Sequence, residues 1–330
     1  MSAVEATHDP LPISIADVEA AAERISGVAV RTPVLTSPTL DVIAKVPVFV
    51  KAECLQRTGS FKFRGAYNRL ALIPHDVRSS GVVACSSGNH AQGVAEAARL
   101  FGVPATIVMP HDAPALKRAR TERSGAVIVG YDRVKEDREA IAKAIAERSG
   151  ATFIHPYDDP GVMAGQGTAG LELADALADV ADPRVLVPAS GGGLMAGIAV
   201  ALADRLPGAV TTPAEPAHFD DHTRSLREGQ RVSNTELSGS IADALLAERP
   251  GTLTFAVHRR HSVPGFAVTD AALMRAMAFA LNELKIVLEP GGAAGLAAVL
   301  EGLVPTDRPI AIVASGGNAD PALLARALSA

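Results

Sequence analysis

The sequence contains little cysteine: Cys54 and Cys85 are the two cysteines among its 330 residues. Two cysteines cannot form a disulfide framework, and neither stands at a spacing typical of a metal site. Residues 1–10 are polar and acidic, which argues against a signal peptide in this segment. These features together favour a protein of the reducing cytoplasm.

Long basic runs and long apolar runs are also missing. The net charge is −5 and the pI is near 6.0, which argues against a nucleic acid or an anionic membrane as partner. The longest apolar run, residues 191–203, is too short and too rich in glycine to span a bilayer. Hydrophobic residues make up 48% of the chain and charged residues 20%, as in globular proteins. A chain of this length can bury the cores of two domains.

Short apolar runs alternate with helical patterns along most of the chain. This alternation is typical of βαβ units and predicts an α/β fold with mostly parallel sheets. The first helix begins after Ser14, which is placed to form a capping box with Asp17. The other predicted helices are residues 60–72, 91–101, 115–124, 133–149, 162–177, 194–206 and 270–283. The predicted strands are residues 46–53, 81–85, 105–109, 126–129, 152–155, 185–188, 286–289 and 310–314.

Lys62 lies between two aromatic residues, Phe61 and Phe63, in the glycine-flanked segment 58–65. Lysine is rarely buried without a partner, so this setting indicates an amine that faces an apolar or ligand-filled space. Burial lowers the pKa of a lysine, and the neutral amine is a nucleophile that forms Schiff bases. The alternative is a solvated lysine at the start of a helix.

Three loops that follow predicted strands are rich in serine or glycine. Residues 86–90 (Ser-Ser-Gly-Asn-His) open a helix, whose N-terminus attracts a carboxylate or a phosphate. Residues 190–193 (Ser-Gly-Gly-Gly) let backbone amides approach a phosphate, although they match neither a Walker nor a dinucleotide motif. In the loop 315–318, Ser315 either caps a helix or hydrogen-bonds a ligand. Each loop also has a purely structural alternative, a helix cap or a tight turn.

Glu215 and Asp221 lie six residues apart, with Asp220 beside the second. Carboxylate oxygens of this kind suit Mg²⁺ or Ca²⁺. The alternative is a solvated acidic turn.

Taken together, the motifs resemble those of fold-type II pyridoxal-phosphate (PLP) enzymes, in the branch of threonine and serine dehydratases, 3-hydroxyaspartate dehydratases and serine racemase. The motifs appear in family order as GSFKFRG at 59–65, SSGNHAQG at 86–93, PYDDP at 156–160, AGQGT at 164–168, SGGGLMAG at 190–197, EPGGA at 289–293 and SGGN at 315–318. The resemblance implies the two-domain α/β fold of this class, which is tryptophan synthase beta-like. It places residues 1–78 and 156–330 in a large domain and residues 79–155 in a small one, and it implies a homodimer.

The resemblance also implies roles for individual residues. Lys62 would hold PLP as a Schiff base and act as the catalytic base. The implied cofactor contacts are Lys62, Phe61, Asn89, Ser190, Gly191, Gly192, Gly193, Leu194, Glu289 and Ser315. Among them, the backbone amides from Ser190 to Leu194 would hold the phosphate, and Ser315 would hydrogen-bond the pyridine nitrogen.

The resemblance places substrate contacts on the loop after the second predicted strand. The implied contacts are Ser86, Ser87, Gly88, Asn89, His90 and Arg138. Residues Ser86 to Asn89 would bind the α-carboxylate, and Arg138 aligns with an arginine that can meet a distal carboxylate. For Arg138 the alternative is a surface arginine on a charged helix. The implied metal ligands, for Mg²⁺, Ca²⁺ or Mn²⁺, are Glu215, the carbonyl of Phe219 and Asp221.

The implied activity is that of a dehydratase (ammonia-lyase), which converts a 3-hydroxy amino acid into a 2-keto acid and ammonia. Threonine, serine and 3-hydroxyaspartate are the candidate substrates. The alternative is a racemase for serine or aspartate, in which Lys62 and Ser87 exchange protons on opposite sides of the cofactor. A third possibility is a non-catalytic binding protein, against which an intact Lys62 argues.

Overall fold

The computed structural model describes residues 10–113 and 115–329, so most of the polar N-terminal segment lies outside the described residues. The described helices are α1 Ile15–Ile25, α2 Pro38–Ala44, α3 Lys62–Ala71, α4 His75–Arg78, α5 Asn89–Phe101, α6 Ala115–Arg123, α7 Arg138–Ser149, α8 Pro160–Ala176, α9 Gly193–Arg205, α10 Asp221–Glu228, α11 Thr252–His261, α12 Asp270–Phe279, α13 Ala294–Leu300 and α14 Pro321–Ser329. The described strands are β1 Val34–Leu35, β2 Val48–Lys51, β3 Val82–Cys85, β4 Ala105–Pro110, β5 Val127–Tyr131, β6 Thr152–Phe153, β7 Arg184–Pro188, β8 Val210–Pro216, β9 Phe266–Val268 and β10 Ile310–Val313.

These strands form two separate sheets. The larger sheet has the order β1-β2-β10-β7-β8-β9 and is parallel except that β1 runs antiparallel to β2. The smaller sheet, β5-β4-β3-β6, is parallel throughout, and its strands lie within residues 82–153. The predicted α/β fold with mostly parallel sheets is confirmed. The division into domains at residues 78/79 and 155/156 stays a prediction.

Two predicted elements differ from the structure for local reasons. The helix predicted over 133–149 begins only at Arg138, because the Asp137 side chain accepts hydrogen bonds from the N–H groups of Glu139 and Ala140 and caps the helix there. The strand predicted over 286–289 is wrong. Helix α12 continues into a π-helical turn, Ala280–Leu284, and the segment after it pairs with no described strand. The predicted capping box of Ser14 and Asp17 is present.

Four charged side chains cluster beside the larger sheet: Lys51, Glu53 and Arg64 are buried, and Glu172 is half-buried. Arg64 Nε lies 2.8 Å from Glu53 Oε2, and its Nη1 lies 2.7 Å from Glu172 Oε1. Lys51 Nζ completes the cluster at 2.5 Å from Glu172 Oε2. The two positive and two negative charges balance, which is the condition under which buried charges are tolerated.

Both sheets present the carboxyl ends of parallel strands to the loops that carry the sequence motifs. Strand β3 leads into residues 86–88, β7 into residues 189–192 and β10 into residues 314–318. Ligands of open α/β sheets bind at such edges. None of the described helices combines the length and the apolar character needed to cross a membrane.

Candidate active site

One cavity is lined by loops from both sheets. All the side chains and glycines predicted to contact cofactor or substrate border it, namely Phe61, Lys62, Ser86, Ser87, Gly88, Asn89, His90, Arg138, Ser190, Gly191, Gly192, Gly193, Leu194, Glu289 and Ser315. The structure therefore brings these residues together, while their individual roles stay predictions. The residues predicted to bind a metal do not line this cavity.

Lys62 is the first residue of α3 and extends its amine into the cavity. Its Nζ donates a hydrogen bond to the Pro156 carbonyl at 2.7 Å and lies 5.2 Å from the centre of the Phe61 ring. Burial lowers the pKa of Lys62 to about 8, and no neighbouring carboxylate offsets this effect. More of the amine is therefore neutral near physiological pH than in a solvated lysine, and the neutral form is the state that a nucleophile or a base needs.

The loop from Ser86 to Gly88 leaves the N-terminus of α5 open toward the cavity. The Ser86 hydroxyl accepts a hydrogen bond from the Gly88 N–H at 3.1 Å, and no side chain caps the helix. Helix α5 therefore offers unsatisfied N–H groups and the positive end of its dipole to an anion. The hydroxyl of Ser87 lies on the same cavity wall.

His90 is the second residue of α5 and is buried. Its Nε2 contacts the Ile154 carbonyl at 3.0 Å, while its Nδ1 is buried without a partner. Burial lowers the pKa of His90 to about 3, so the ring is neutral and carries its proton on Nε2. The free lone pair on Nδ1 makes His90 a hydrogen-bond acceptor at this position.

Asn89 joins the two sheets through a hydrogen-bond chain. Its Nδ2 donates to Glu289 Oε1 at 2.5 Å, and its Oδ1 accepts from Asn318 Nδ2 at 2.7 Å. Burial raises the pKa of Glu289 to about 7. A Cβ at Gly316 would lie 2.1 Å from Glu289 Oε1, so only glycine leaves room for this contact. The second N–H of Asn89 Nδ2 remains for a ligand in the cavity.

The glycine loop, residues 190–193, connects β7 to α9 along the cavity wall. Gly192 has φ +95°, a left-handed conformation that favours glycine. The ring of Tyr157 lies 2.2 Å from where a Cβ of Gly191 would stand. Any side chain at this position would collide with Tyr157, so backbone alone faces the ligand space here.

Ser315 faces the cavity after β10. Its carbonyl accepts a hydrogen bond from the Phe61 N–H at 3.1 Å, and its hydroxyl bonds to none of the described residues. Contact with Phe61 brings the end of β10 next to Lys62. Ser315 thus presents a neutral hydroxyl, rather than a carboxylate, to whatever fills the cavity.

Arg138 is the first residue of α7, and its side chain lines the cavity. It forms neither an ion pair nor a hydrogen bond with another described side chain. A guanidinium without a protein partner suits a carboxylate on a ligand.

Glu215 and Asp221 are completely buried outside the cavity. Glu215 accepts hydrogen bonds from the N–H groups of His222 and Thr223 at 2.8 and 2.9 Å. Asp221 Oδ1 accepts from Asn234 Nδ2 at 2.8 Å, whereas Asp221 Oδ2 is buried without a partner. Burial raises the pKa of Asp221 to about 7, and burial together with the nearby Asp221 charge raises the pKa of Glu215. Two carboxylates and an unpaired oxygen fit a hard divalent cation.

Within the described ranges, no group of three or more His, Cys, Asp or Glu side chains is arranged to hold a metal ion. Glu215 and Asp221 alone supply two such side chains, and the buried Phe219 supplies only its carbonyl. A cation at this position therefore stays a prediction.

Comparisons with known proteins agree with this geometry. The family described as "Pyridoxal-phosphate dependent enzyme" matches residues 25–316. The chain is 46% identical to the L-threo-3-hydroxyaspartate ammonia-lyase of a Pseudomonas species, over 92% of this chain and 95% of that protein. It is 39% identical to the L-threonine ammonia-lyase of Thermotoga maritima, over 96% of this chain and 78% of that protein. The solved structure of maize serine racemase superposes with a TM-score of 0.90 at 37% identity, covering 96% of this chain and 97% of that chain.

This chain belongs to the pyridoxal-phosphate dependent enzymes. The cavity of this PLP-dependent enzyme fits the cofactor on three independent counts. Lys62 provides an amine with a lowered pKa, residues 190–193 provide a backbone wall without side chains, and Ser315 provides a free hydroxyl. When bound, pyridoxal phosphate supplies an electron-withdrawing ring that stabilises negative charge on the substrate Cα.

Sequence reasoning missed several residues of the site. Tyr157 belongs to the quoted PYDDP motif, yet nothing in the motif indicates that its ring packs against Gly191. Asp158 accepts hydrogen bonds from the N–H groups of Thr252 and Leu253 at 3.0 and 2.8 Å and so ties this motif to the start of α11. His222 and His258 meet behind the glycine loop. None of these contacts has a local signal in the sequence.

Proposed function

We propose that this chain is a PLP-dependent ammonia-lyase that converts a 3-hydroxy amino acid into a 2-keto acid and ammonia, with 3-hydroxyaspartate as the preferred substrate. The observation that carries the proposal is the amine of Lys62, which lies in the cavity with its pKa lowered to about 8. The similarity to an L-threo-3-hydroxyaspartate ammonia-lyase and an L-threonine ammonia-lyase supports the same reaction class.

Lys62 is the base of the proposed reaction. Its neutral amine is placed to take the substrate α-proton, and it donates a hydrogen bond to the Pro156 carbonyl at 2.7 Å. Burial keeps the pKa of Lys62 near the pH at which it operates, so the same amine both accepts and returns the proton.

The α-carboxylate of the substrate is proposed to bind at the N-terminus of α5, against Ser86, Ser87, Gly88 and Asn89. The uncapped helix end supplies N–H donors and a favourable dipole for one negative charge. The second carboxylate of 3-hydroxyaspartate is proposed to meet Arg138, whose guanidinium has no protein partner in the described residues.

An ammonia-release assay on L-serine, L-threonine and the isomers of 3-hydroxyaspartate tests the proposal. Arg138→Ala should lower kcat/KM on 3-hydroxyaspartate about 10- to 100-fold, the usual effect of losing hydrogen bonds to a charged group. The kcat/KM on L-serine should stay within about threefold of the wild-type value. Arg148→Ala is the matched control, because Arg148 lies exposed on the same helix. Equal losses on both substrates would remove the assigned role of Arg138, and release of ammonia from none of the panel would refute the lyase.

A racemase is the second candidate, because the hydroxyl of Ser87 lines the same cavity as the amine of Lys62. Two proton carriers on opposite sides of a substrate Cα are what racemisation requires. Chiral analysis of serine and aspartate after incubation separates the two activities. Formation of the opposite enantiomer, abolished in Ser87→Ala while ammonia release persists, would support the racemase.

We also propose that Glu215, Asp221 and the Phe219 carbonyl bind Mg²⁺, Ca²⁺ or Mn²⁺. The support is electrostatic: burial raises the pKa of both carboxyl groups, the charge of Asp221 raises that of Glu215 further, and one oxygen of Asp221 has no partner among the described residues. A divalent cation at this position lowers the pKa of both carboxyl groups and gives the unpartnered oxygen of Asp221 a partner.

A homodimer is part of the proposal, as in the family that the motifs resemble. Val42 and Ile43 on α2 are exposed, Val42 by 77%, and provide apolar surface for a second copy. Sedimentation equilibrium of the wild type should give twice the mass of one chain. The Val42→Glu variant should give a mass closer to that of a single chain. A mass of one chain for the wild type would contradict the dimer.

The cytoplasm is the proposed location. Cys54 and Cys85 are both free and buried, and burial raises their pKa values to about 12 and about 11, so they stay as thiols. Cell fractionation with an antibody to the chain checks this assignment.

A further inference from the structure

The carbonyl groups of the glycine loop are each held from behind by a different side chain. The Ser190 carbonyl contacts His222 Nε2, and the Gly192 carbonyl contacts His258 Nε2 at 3.1 Å in addition to accepting the backbone N–H of Ala196 at 2.9 Å. The Gly191 carbonyl between them accepts hydrogen bonds from the Thr254 hydroxyl at 2.7 Å and from the Gly251 N–H at 3.1 Å. Three successive carbonyls are thus fixed on the side of the loop where α10 and α11 lie.

In a trans peptide the N–H of the next residue points opposite to the carbonyl. Fixing the carbonyls of Ser190, Gly191 and Gly192 therefore directs the N–H groups of the three glycines the other way, toward the cavity that they line. These N–H groups donate to none of the described residues. An array of free backbone amides is a binding site for a phosphate.

The two imidazoles form a buried pair behind this array. Both side chains are completely buried, and their Nδ1 atoms lie 3.1 Å apart. A carbonyl oxygen only accepts, so each Nε2 carries the hydrogen toward it, and the two Nδ1 atoms then face each other as acceptors with no hydrogen bond between them. A Cβ at Gly192 would stand 2.5 Å from His258 Cε1 and 2.6 Å from His222 Cε1, so the rings also fill the space into which the loop would otherwise relax.

We propose that His222 and His258 are positioning residues that preset the glycine loop for the cofactor phosphate by holding its carbonyls away from the cavity. Thr254 performs the same task for the central carbonyl. This inference rests on the proposed function, in which residues 190–194 bind that phosphate. It adds that the affinity for phosphate is set by side chains that never touch it.

His258 offers the cleaner test, because His222 adjoins Asp221, a proposed metal ligand. His258→Leu removes the N–H donor to Gly192, whereas His258→Gln keeps an amide N–H near the place of Nε2. Val257→Ala is the matched control, since Val257 is its buried neighbour on α11 and packs away from the loop. Thr254→Val removes only the hydroxyl donor to Gly191 and gives a second test if His258→Leu does not fold.

The readout is the dissociation constant of pyridoxal phosphate compared with that of pyridoxal, which lacks the phosphate, measured from the imine absorbance of the full chain. We expect His258→Leu and Thr254→Val each to raise the dissociation constant of pyridoxal phosphate about tenfold and that of pyridoxal less than twofold. A tenfold change corresponds to the loss of one hydrogen bond in each variant. His258→Gln should recover most of the loss, and Val257→Ala should change neither constant by more than twofold.

Equal weakening of both cofactors in His258→Leu and Thr254→Val would show a general structural role and overturn the inference. Unchanged binding of pyridoxal phosphate in both variants would do the same. If the wild type binds pyridoxal as tightly as pyridoxal phosphate, the proposed phosphate position itself fails, which is a result distinct from failure of the positioning role.

Discussion

Two lysines of this chain, one buried and one half-buried at the cavity, stand in different electrostatic surroundings. Lys51 is 1% exposed at the end of β2, where burial lowers its pKa and two carboxylates, Glu53 and Glu172, partly offset this effect. Lys62 extends into the cavity, where the Pro156 carbonyl is its one polar partner among the described residues and burial lowers its pKa to about 8. The comparison teaches that the balance of nearby charges, rather than burial, separates a lysine that holds the fold from one that is free to react.

The largest effect should come from replacing the unbalanced lysine. Lys62→Ala removes the nucleophile and base, so we expect ammonia release to fall by at least about 10⁴-fold and the imine absorbance to vanish. Stability should stay within about 1 kcal/mol of the wild type, since no buried charge loses its partner. Turnover assays, absorbance spectra and urea unfolding check the three expectations. Keto-acid production together with retained imine absorbance would contradict the assignment.

Replacing Lys51, whose charge is balanced, should instead lower the stability of the fold. Lys51→Met leaves Glu53 and Glu172 with Arg64 as the one remaining cation of the cluster, which should lower the free energy of unfolding by about 3–5 kcal/mol. Lys143→Met is the control, because Lys143 is exposed on α7 and its ion pair with Glu139 at 3.6 Å contributes little. Urea titrations of both variants give the difference. If the two variants lose the same stability, the charge balance of the cluster does not stabilise the fold.

The pair Glu215 and Asp221 is a second region in which buried charges lack a counterion among the described residues. The pKa of Asp221 is raised from 3.8 to about 7, so the cation-free protein loses stability as the pH rises from about 4 to 7 and keeps the full loss above 7. At pH 8 in chelator, Asp221→Asn should therefore be more stable than the wild type by about 2 kcal/mol. Adding Mg²⁺ should stabilise the wild type and leave the variant unchanged.

Thermal unfolding with chelator, Mg²⁺, Ca²⁺ and Mn²⁺ measures these shifts. Asp220→Asn serves as control, because Asp220 already pairs with Arg224 at 3.0 Å and lies outside the buried pair. A melting temperature of the wild type that no divalent cation changes would remove the metal site.

The site residues that the sequence predicts are those whose chemistry is contained in a short local motif. Lys62, the loop 86–90 and the glycine loop 190–193 stand in short motifs next to predicted strands, and the strand-end rule for parallel sheets brings them to one cavity. Their chemistry is local, so a pattern of a few residues is enough to indicate it. The family resemblance rests on the order of those motifs.

Contacts between distant segments leave no such pattern. Arg64 meets Glu172 over a separation of 108 residues, and His258 meets His222 over 36. Arg64 even lies inside the most informative motif, yet its burial and balance depend on a carboxylate of α8 that no local rule selects. The predicted strand at 286–289 fails for a related reason, because an apolar run becomes a strand only when a neighbour is available to pair with it.

The smallest effect, a change with pH, tests the electrostatic difference between the two lysines directly. Only the neutral amine of Lys62 attacks the aldehyde of the cofactor, so the rate of imine formation in apoprotein should rise about tenfold per pH unit below pH 8 and level off above it. Stopped-flow absorbance between about pH 6 and 9 measures the profile. A rate still rising toward the ordinary lysine value of 10.5 would mean that Lys62 is solvated like a surface lysine. The absence of a compensating carboxylate would then no longer distinguish it from Lys51.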